Sequence, residues 1–285
     1  MDRTEVKRIH GGKKMNERWA LYHDHFQNYK RYNIPKSQLV IADIPYNIGI
    51  NAYASNPSWY KDGDNSNGKS ELAGKVFFDT DKDFRIPEYM EFCNRMMKPE
   101  PKERGKAPAM LVFCAFEQQF MLIEEARKHG LKNYINLVFR KNFSAQVLKA
   151  NMRIVGNCEY GLLFYRDKLP KFNNNGRMIF NCIDYPRELG VERIHPTQKP
   201  IALLEMLISV FTDIDDVVID PCAGSGSTLI AALNLSRRAF GFEIKKEFYN
   251  NAINLIKENI HYDMFTYQEL YEKQQKKKEL FEVKK

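Results

Sequence analysis

The sequence predicts an α/β protein built on a doubly wound, mostly parallel sheet, and three observations predict it. Short β-rich runs alternate with helical patterns along the chain. Several of those runs are apolar on both faces, as strands of a covered parallel sheet are. One run passes through a glycine turn straight into a helix, the strand–turn–helix order of a ligand-binding sheet.

The strands are read in order as "QLVIAD" (38–43), "AMLVFCAF" (109–116), "YINLVFRK" (134–141), "EYGLLFYR" (159–166), "DVVID" (216–220) and "RAFGFEI" (238–244). Between them, "EQQFMLIEEARKHG" (117–130) reads as a helix closed by Gly130. "PIALLEMLISVF" (200–211) sets Leu204, Leu207, Ile208 and Phe211 on one helical face. "GSTLIAALNL" and "KEFYNNAINLIKENI" complete the helices. Two segments break the rhythm. Residues 51–74 are rich in Asn, Ser and Gly around Trp59 and Tyr60, and a loop this long is usually functional or disordered. The stretch 142–194 carries one clear strand amid irregular polar sequence. The expected organisation is one α/β unit over 19–141 and 195–262, a small inserted segment over 142–194, and a charged tail over 263–285.

With 285 residues, 44% of them hydrophobic, the chain can bury a substantial core. No run approaches the ~20 apolar residues of a membrane helix. Residues 1–18 are charged and lack a signal-peptide apolar stretch. Five scattered cysteines without C-x-x-C spacing argue for a reducing compartment, against a disulfide framework and against a zinc site. A cytoplasmic protein is expected. The net charge of +8 suits a polyanionic partner such as nucleic acid, although part of it lies in the tail "KQQKKKELFEVKK", which reads first as a solvated helix end.

"VVIDPCAGSGSTLIAALNL" is strand, glycine turn and helix. Gly224 and Gly226 let the backbone approach a ligand, with Pro221, Ala223, Ser225, Ser227 and Thr228 around them. A dinucleotide fingerprint would place Gly or Ala where Leu229 stands. The strand also ends in Asp220, which repels a pyrophosphate and suits a ligand bearing positive charge. S-adenosylmethionine, with its sulfonium and ammonium, is such a ligand. Glu243 ends the next strand about 20 residues on, the offset at which an acid accepts from ribose hydroxyls. In "RIHPTQKPIALLEML", Pro200 suits the first helical position, so His195, Thr197, Gln198 and Lys199 stand at a helix N-terminus and offer a carboxylate site.

"DIPY" (43–46), "HPTQKP" (195–200), "DPCAGSGST" (220–228) and "GFEI" (241–244), in this order, resemble the amino-group DNA methyltransferases of the permuted, or beta, class. In that class a D-P-P-Y element precedes the target-recognition segment and the cofactor loop comes last. The resemblance spans roughly residues 19–260 and implies an S-adenosylmethionine-dependent methyltransferase fold with 142–194 as the recognition segment. It implies that Asp43, Ile44, Pro45 and Tyr46 are catalytic. Asp43 and the Ile44 carbonyl accept hydrogen bonds from an exocyclic amine, Pro45 stiffens the turn, and Tyr46 stacks on a base flipped from double-stranded DNA. Asp24, in "YHDHF", matches loosely an acid that contacts the cofactor's adenine. Two positions depart from the pattern: Ile44 where proline is usual, and Cys222 where phenylalanine is common.

The acid in D-P-P-Y mostly accompanies adenine N6 in the family, and a serine accompanies cytosine N4, so Asp43 favours adenine. Asn47, Trp59, Lys141, Asn142, Lys149 and Arg153 are candidate DNA contacts, with Gln146 beside them. A related enzyme acting on RNA or a protein glutamine, a nicotinamide-dependent oxidoreductase, and a DNA-binding regulator without turnover are the rival readings. The sequence leaves open a homodimer, a cognate restriction endonuclease and the DNA site read.

Overall fold

The computed structural model describes residues 18–46, 84–142, 146–149, 152, 154–185 and 198–259. One eight-stranded sheet organises them, with the spatial order β1-β10-β9-β2-β3-β7-β4-β8. In chain order these are β1 (Trp19–Tyr22), β2 (Leu39–Asp43), β3 (Ala109–Cys114), β4 (Asn133–Lys141), β7 (Cys158–Tyr165), β8 (Cys182–Tyr185), β9 (Val217–Asp220) and β10 (Arg238–Phe242). A separate two-stranded hairpin pairs β5 (Gln146–Lys149) with β6 (Ile154–Gly156). The helices are α1 (Ile86–Met96), α2 (Gln118–Lys128), α3 (Ile201–Phe211), α4 (Ser227–Asn234) and α5 (Lys246–Asn259), with a 3₁₀ turn at Phe26–Arg31.

Strand alternation explains the two-sided cover. Leu39 and Ile41 of β2, with Leu111 and Phe113 of β3, point to the face that carries α3, α4 and α5. Val40 and Ala42, with Met110 and Val112, point to the face that carries the 3₁₀ turn, α1 and α2. Burying both faces is what makes these strands read as unbroken apolar runs. All neighbouring pairs in the large sheet are parallel except those that β7 makes with β3 and β4.

That reversed strand corrects the expected division of the chain. The stretch 142–194 is not one inserted segment, because β7 lies in the middle of the sheet and β8 forms its edge. Apolar residues such as Leu162 and Phe164, fully buried, place β7 in the core. Of that stretch, the β5–β6 hairpin stands apart from the sheet. No helix among the described residues is long and apolar enough to cross a membrane.

Candidate active site

β2 and β9 are neighbours, yet β2 leads through α1 to β3 on one side and β9 leads through α4 to β10 on the other. Such a switch point leaves a crevice beyond the carboxyl ends of the strands. A cavity of about 270 Å³ lies there. Asp43, Ile44, Pro45 and Tyr46 line it from β2, and Asp220, Pro221, Ala223, Gly224, Ser225, Ser227 and Thr228 from β9 and its turn. Glu243 enters from the end of β10, and Gln198 and Lys199 from the start of α3.

The glycine turn owes its shape to two left-handed residues, Gly224 at φ 52° and Gly226 at φ 77°. Gly224 N–H donates to Glu243 Oε2 at 3.0 Å, which ties the turn to β10. Gly226 caps α4 and faces inward: a Cβ there would stand 3.0 Å from Ile256 Cδ1 and 3.3 Å from Ala252 Cβ. Packing against α5 thus calls for glycine at this position, while Gly224, Ser225, Ser227 and Thr228 line the cavity from the same turn.

Three carboxylates gather at the cavity. Asp220 accepts from Cys222 N–H at 2.9 Å, and burial pushes its carboxyl up to about 7. Glu243 accepts from Lys245 N–H at 2.7 Å as well as from Gly224, and burial likewise raises it. Asp43 is also raised, by burial against the pull of Lys199. Asp220 and Glu243 form no ion pair among the described residues, so a cationic ligand fits them by relieving their desolvation, and a pyrophosphate does not.

Lys199 is placed differently from the expected carboxylate-binding lysine. Its Nζ lies 2.5 Å from Asp43 Oδ2 and 3.3 Å from Glu159 Oε2, and the side chain is 6% exposed. Burial works against its charge, but Asp43 and Glu159 outweigh that and hold the ammonium protonated. Lys141 is corrected in the same way. Its side chain is 7% exposed and paired with Glu159, so it is not a surface cation offered to phosphate. Burial lowers the Lys141 pKa, which Glu159 opposes.

Asp24 faces its own segment. It accepts from His25 N–H at 2.8 Å, Asn28 Nδ2 at 2.7 Å and the Tyr32 hydroxyl at 2.8 Å, and so anchors the 3₁₀ turn. Its neighbours His25 and Phe26 reach the cavity instead. Asn142 is exposed at the end of β4. His195, Thr197, Asn47, Trp59 and Arg153 lie outside the described residues, and of Lys149 only the backbone is described.

Sequence reasoning missed several residues. Phe84, Phe242, Ile244 and Phe248 add apolar walls to the cavity. Gln118, at the start of α2, donates from Nε2 to the Pro45 carbonyl at 2.7 Å and accepts from Ala115 N–H at 2.9 Å. It thereby braces the turn that follows β2, where Ile44 stands in place of the usual proline. A polar residue beginning a helix straight after an apolar strand was the available signal.

The DNA methylase family profile for N6 and N4 methyltransferases matches residues 37–254. The chain belongs to this family. Among its relatives, "DNA adenine methyltransferase YhdJ" of Escherichia coli K12 is 24% identical over 269 residues, covering 87% of this chain and 85% of that protein. "Putative methylase YubD" of the same organism is 30% identical over 157 residues, covering 55% of this chain and 63% of its own length. The crystal structure of the M1.HpyAVI–SAM complex shares the fold of this DNA methylase, with TM-score 0.58 and 22% identity over 83% of this chain and 98% of that one. S-adenosylmethionine is the methyl donor of the family. The cavity of this methylase fits it, since the donor's positive charges answer the carboxylates that gather there.

Proposed function

We propose that this methylase transfers a methyl group to the exocyclic N6 of adenine in double-stranded DNA after the base has left the duplex. The observation that carries the reading is Asp43. Its Oδ1 is buried at the cavity without a hydrogen-bond partner among the described residues, while Oδ2 is held by Lys199. A buried, unsatisfied acceptor costs about 1–3 kcal/mol, and a ligand N–H recovers it.

An exocyclic amine is a poor nucleophile because its lone pair spreads into the ring. Asp43 Oδ1 accepts one amino hydrogen and draws the nitrogen toward a tetrahedral state with the lone pair free. The same oxygen takes the proton that the nitrogen sheds on methylation. Tyr46 offers a ring for stacking on the flipped base, and Gln118 holds the turn that carries both. Asp220, Glu243 and the Gly224 turn hold the cofactor, which supplies a methyl group made electrophilic by its sulfonium. Adenine is favoured over cytosine by Asp43 and Tyr46 in the D-P-P-Y position, and the adenine-specific description of YhdJ supports it. The setting implied is the cytoplasm, on duplex DNA.

The test incubates unmethylated duplex DNA with the protein and S-adenosylmethionine, digests it to nucleosides and analyses them by mass spectrometry. N6-methyladenine is expected, and N4-methylcytosine would overturn the reading of Asp43. Asp43→Ala is expected to abolish the product and leave cofactor affinity nearly intact.

A further inference from the structure

Four charged side chains from four places in the chain meet behind the cavity. Lys199, just ahead of α3, stands between two carboxylates: Asp43 of β2 and Glu159 of β7. Glu159 is also paired with Lys141 at the end of β4. The rings of Phe113 and Tyr46, with centroids 5.0 and 5.9 Å from Lys199 Nζ, wall the ammonium in. Lys141 Nζ lies 5.0 Å from the Tyr185 ring centroid. Two acids and two lysines leave the group with no net charge, which is what allows it to be buried.

An ammonium that served Asp43 alone could settle over both carboxylate oxygens. Here Glu159 Oε2 also attracts it, from 3.3 Å, and Lys199 meets only Oδ2. We propose that Glu159 is a positioning residue for methyl transfer: it divides the charge of Lys199 with Asp43 and so keeps Asp43 Oδ1 open for the substrate's amino group. The inference rests on Asp43 being the acceptor for that group.

The groups that bear on Asp43 set the signs. Lys199 and Lys141 favour its ionised form, and the Tyr46 hydroxyl supports it from the same turn. Glu159 opposes ionisation, as do Asp220, Cys114 and Cys222 in their charged forms. Glu159→Gln removes an opposing charge, so the Asp43 carboxyl titrates at lower pH. Lys141→Met removes a favouring charge and frees Glu159 to draw Lys199 away, so Asp43 titrates at higher pH. Each displacement is on the order of one pH unit.

The experiment follows the carboxyl carbon of Asp43 by NMR in the full-length, cofactor-free protein labelled at aspartate, the signal being identified by its loss in Asp43→Asn. Displacements of opposite sign in the two variants are expected, with kcat of Glu159→Gln down about tenfold and its S-adenosylmethionine affinity unchanged. A structural ion pair would lower the melting temperature of both variants and leave the midpoints in place, and that result overturns the proposal. If Glu159→Gln does not fold, the upward displacement in Lys141→Met carries the test. Unmoved midpoints in an active wild type would overturn the role of Glu159 and leave the reaction standing. Opposite displacements in a wild type that methylates no base would overturn the link to methyl transfer.

Discussion

Replacing Asp220 by asparagine should make this protein more stable at neutral pH, and the gain follows from where the carboxyl sits. Asp220 closes β9 against the cavity, 3% exposed. Burial pushes it up from 3.8 to about 7; hydrogen bonds from Thr228 and Cys222 N–H oppose the rise, and Asp43 and Glu243 add to it. Between those two pH values the folded protein keeps a proton that the unfolded chain has lost. Stability therefore falls as pH rises through that window and levels off above it. The full displacement amounts to about 4 kcal/mol, at about 1.4 kcal/mol per pH unit. Asparagine has the same shape, stays neutral and can still accept from Cys222 N–H. The two proteins should melt close together near pH 4, and the variant should melt higher at pH 8, by on the order of 10 °C for a chain of this size. Calorimetry across pH 4–8 measures the difference directly, and other titrating groups largely cancel between the two proteins. A bound cation relieves the same penalty, so wild-type affinity for S-adenosylmethionine should tighten up to about pH 7 while the variant's does not. A constant separation of the two melting temperatures across the range would refute the reasoning.

Two further predictions concern the turns beside the cavity. Gly226→Val places a β-branched residue at φ 77° and drives its Cβ against Ile256 and Ala252. Strain and overpacking together should cost about 2–5 kcal/mol, read as a lower melting temperature with and without cofactor alike. Gln118→Ala frees the Pro45 carbonyl and the Ala115 N–H while leaving the cavity lining unchanged. Steady-state kinetics should show kcat down by on the order of tenfold, with the S-adenosylmethionine dissociation constant unmoved.

The strands that carry the site were legible because burial on both faces forces long apolar runs, and β2, β3, β9 and β10 all show them. The glycine turn and the acids at the ends of β9 and β10 were legible because spacing along one strand–turn–helix unit fixes them locally. Helix α1 was passed over, although Tyr89, Met90, Cys93 and Met96 recur at helical intervals and are buried. "EYGLLFYR" read correctly as a strand, but nothing local says that it runs antiparallel between β3 and β4. The charge group around Lys199 was hidden for the same reason. Glu159, Lys141 and Asp43 come together only through the pairing of β7 with β4 and β3. A lysine beside a helix N-terminus looks like an anion site until a carboxylate from another strand is seen to occupy it.

The sheet order also bears on how the chain can be made. β1 pairs in the sheet with β10, and Arg18 just before it donates to the Ser236 carbonyl, 218 residues away in the chain. On the ribosome, β1 must wait for almost the whole of this sequence before its partner emerges. Such closure between distant segments slows folding and leaves an edge exposed meanwhile. β2 and β3, by contrast, can pair early and form the half of the cavity that holds Asp43. The half that holds Asp220, Gly224 and Glu243 arrives with β9 and β10, in the same step that shuts the sheet at β1. Completion of the cavity thus waits for β9 and β10, the strands on which β1 also depends, so a partly synthesised chain holds Asp43 without the carboxylates proposed to meet the methyl donor.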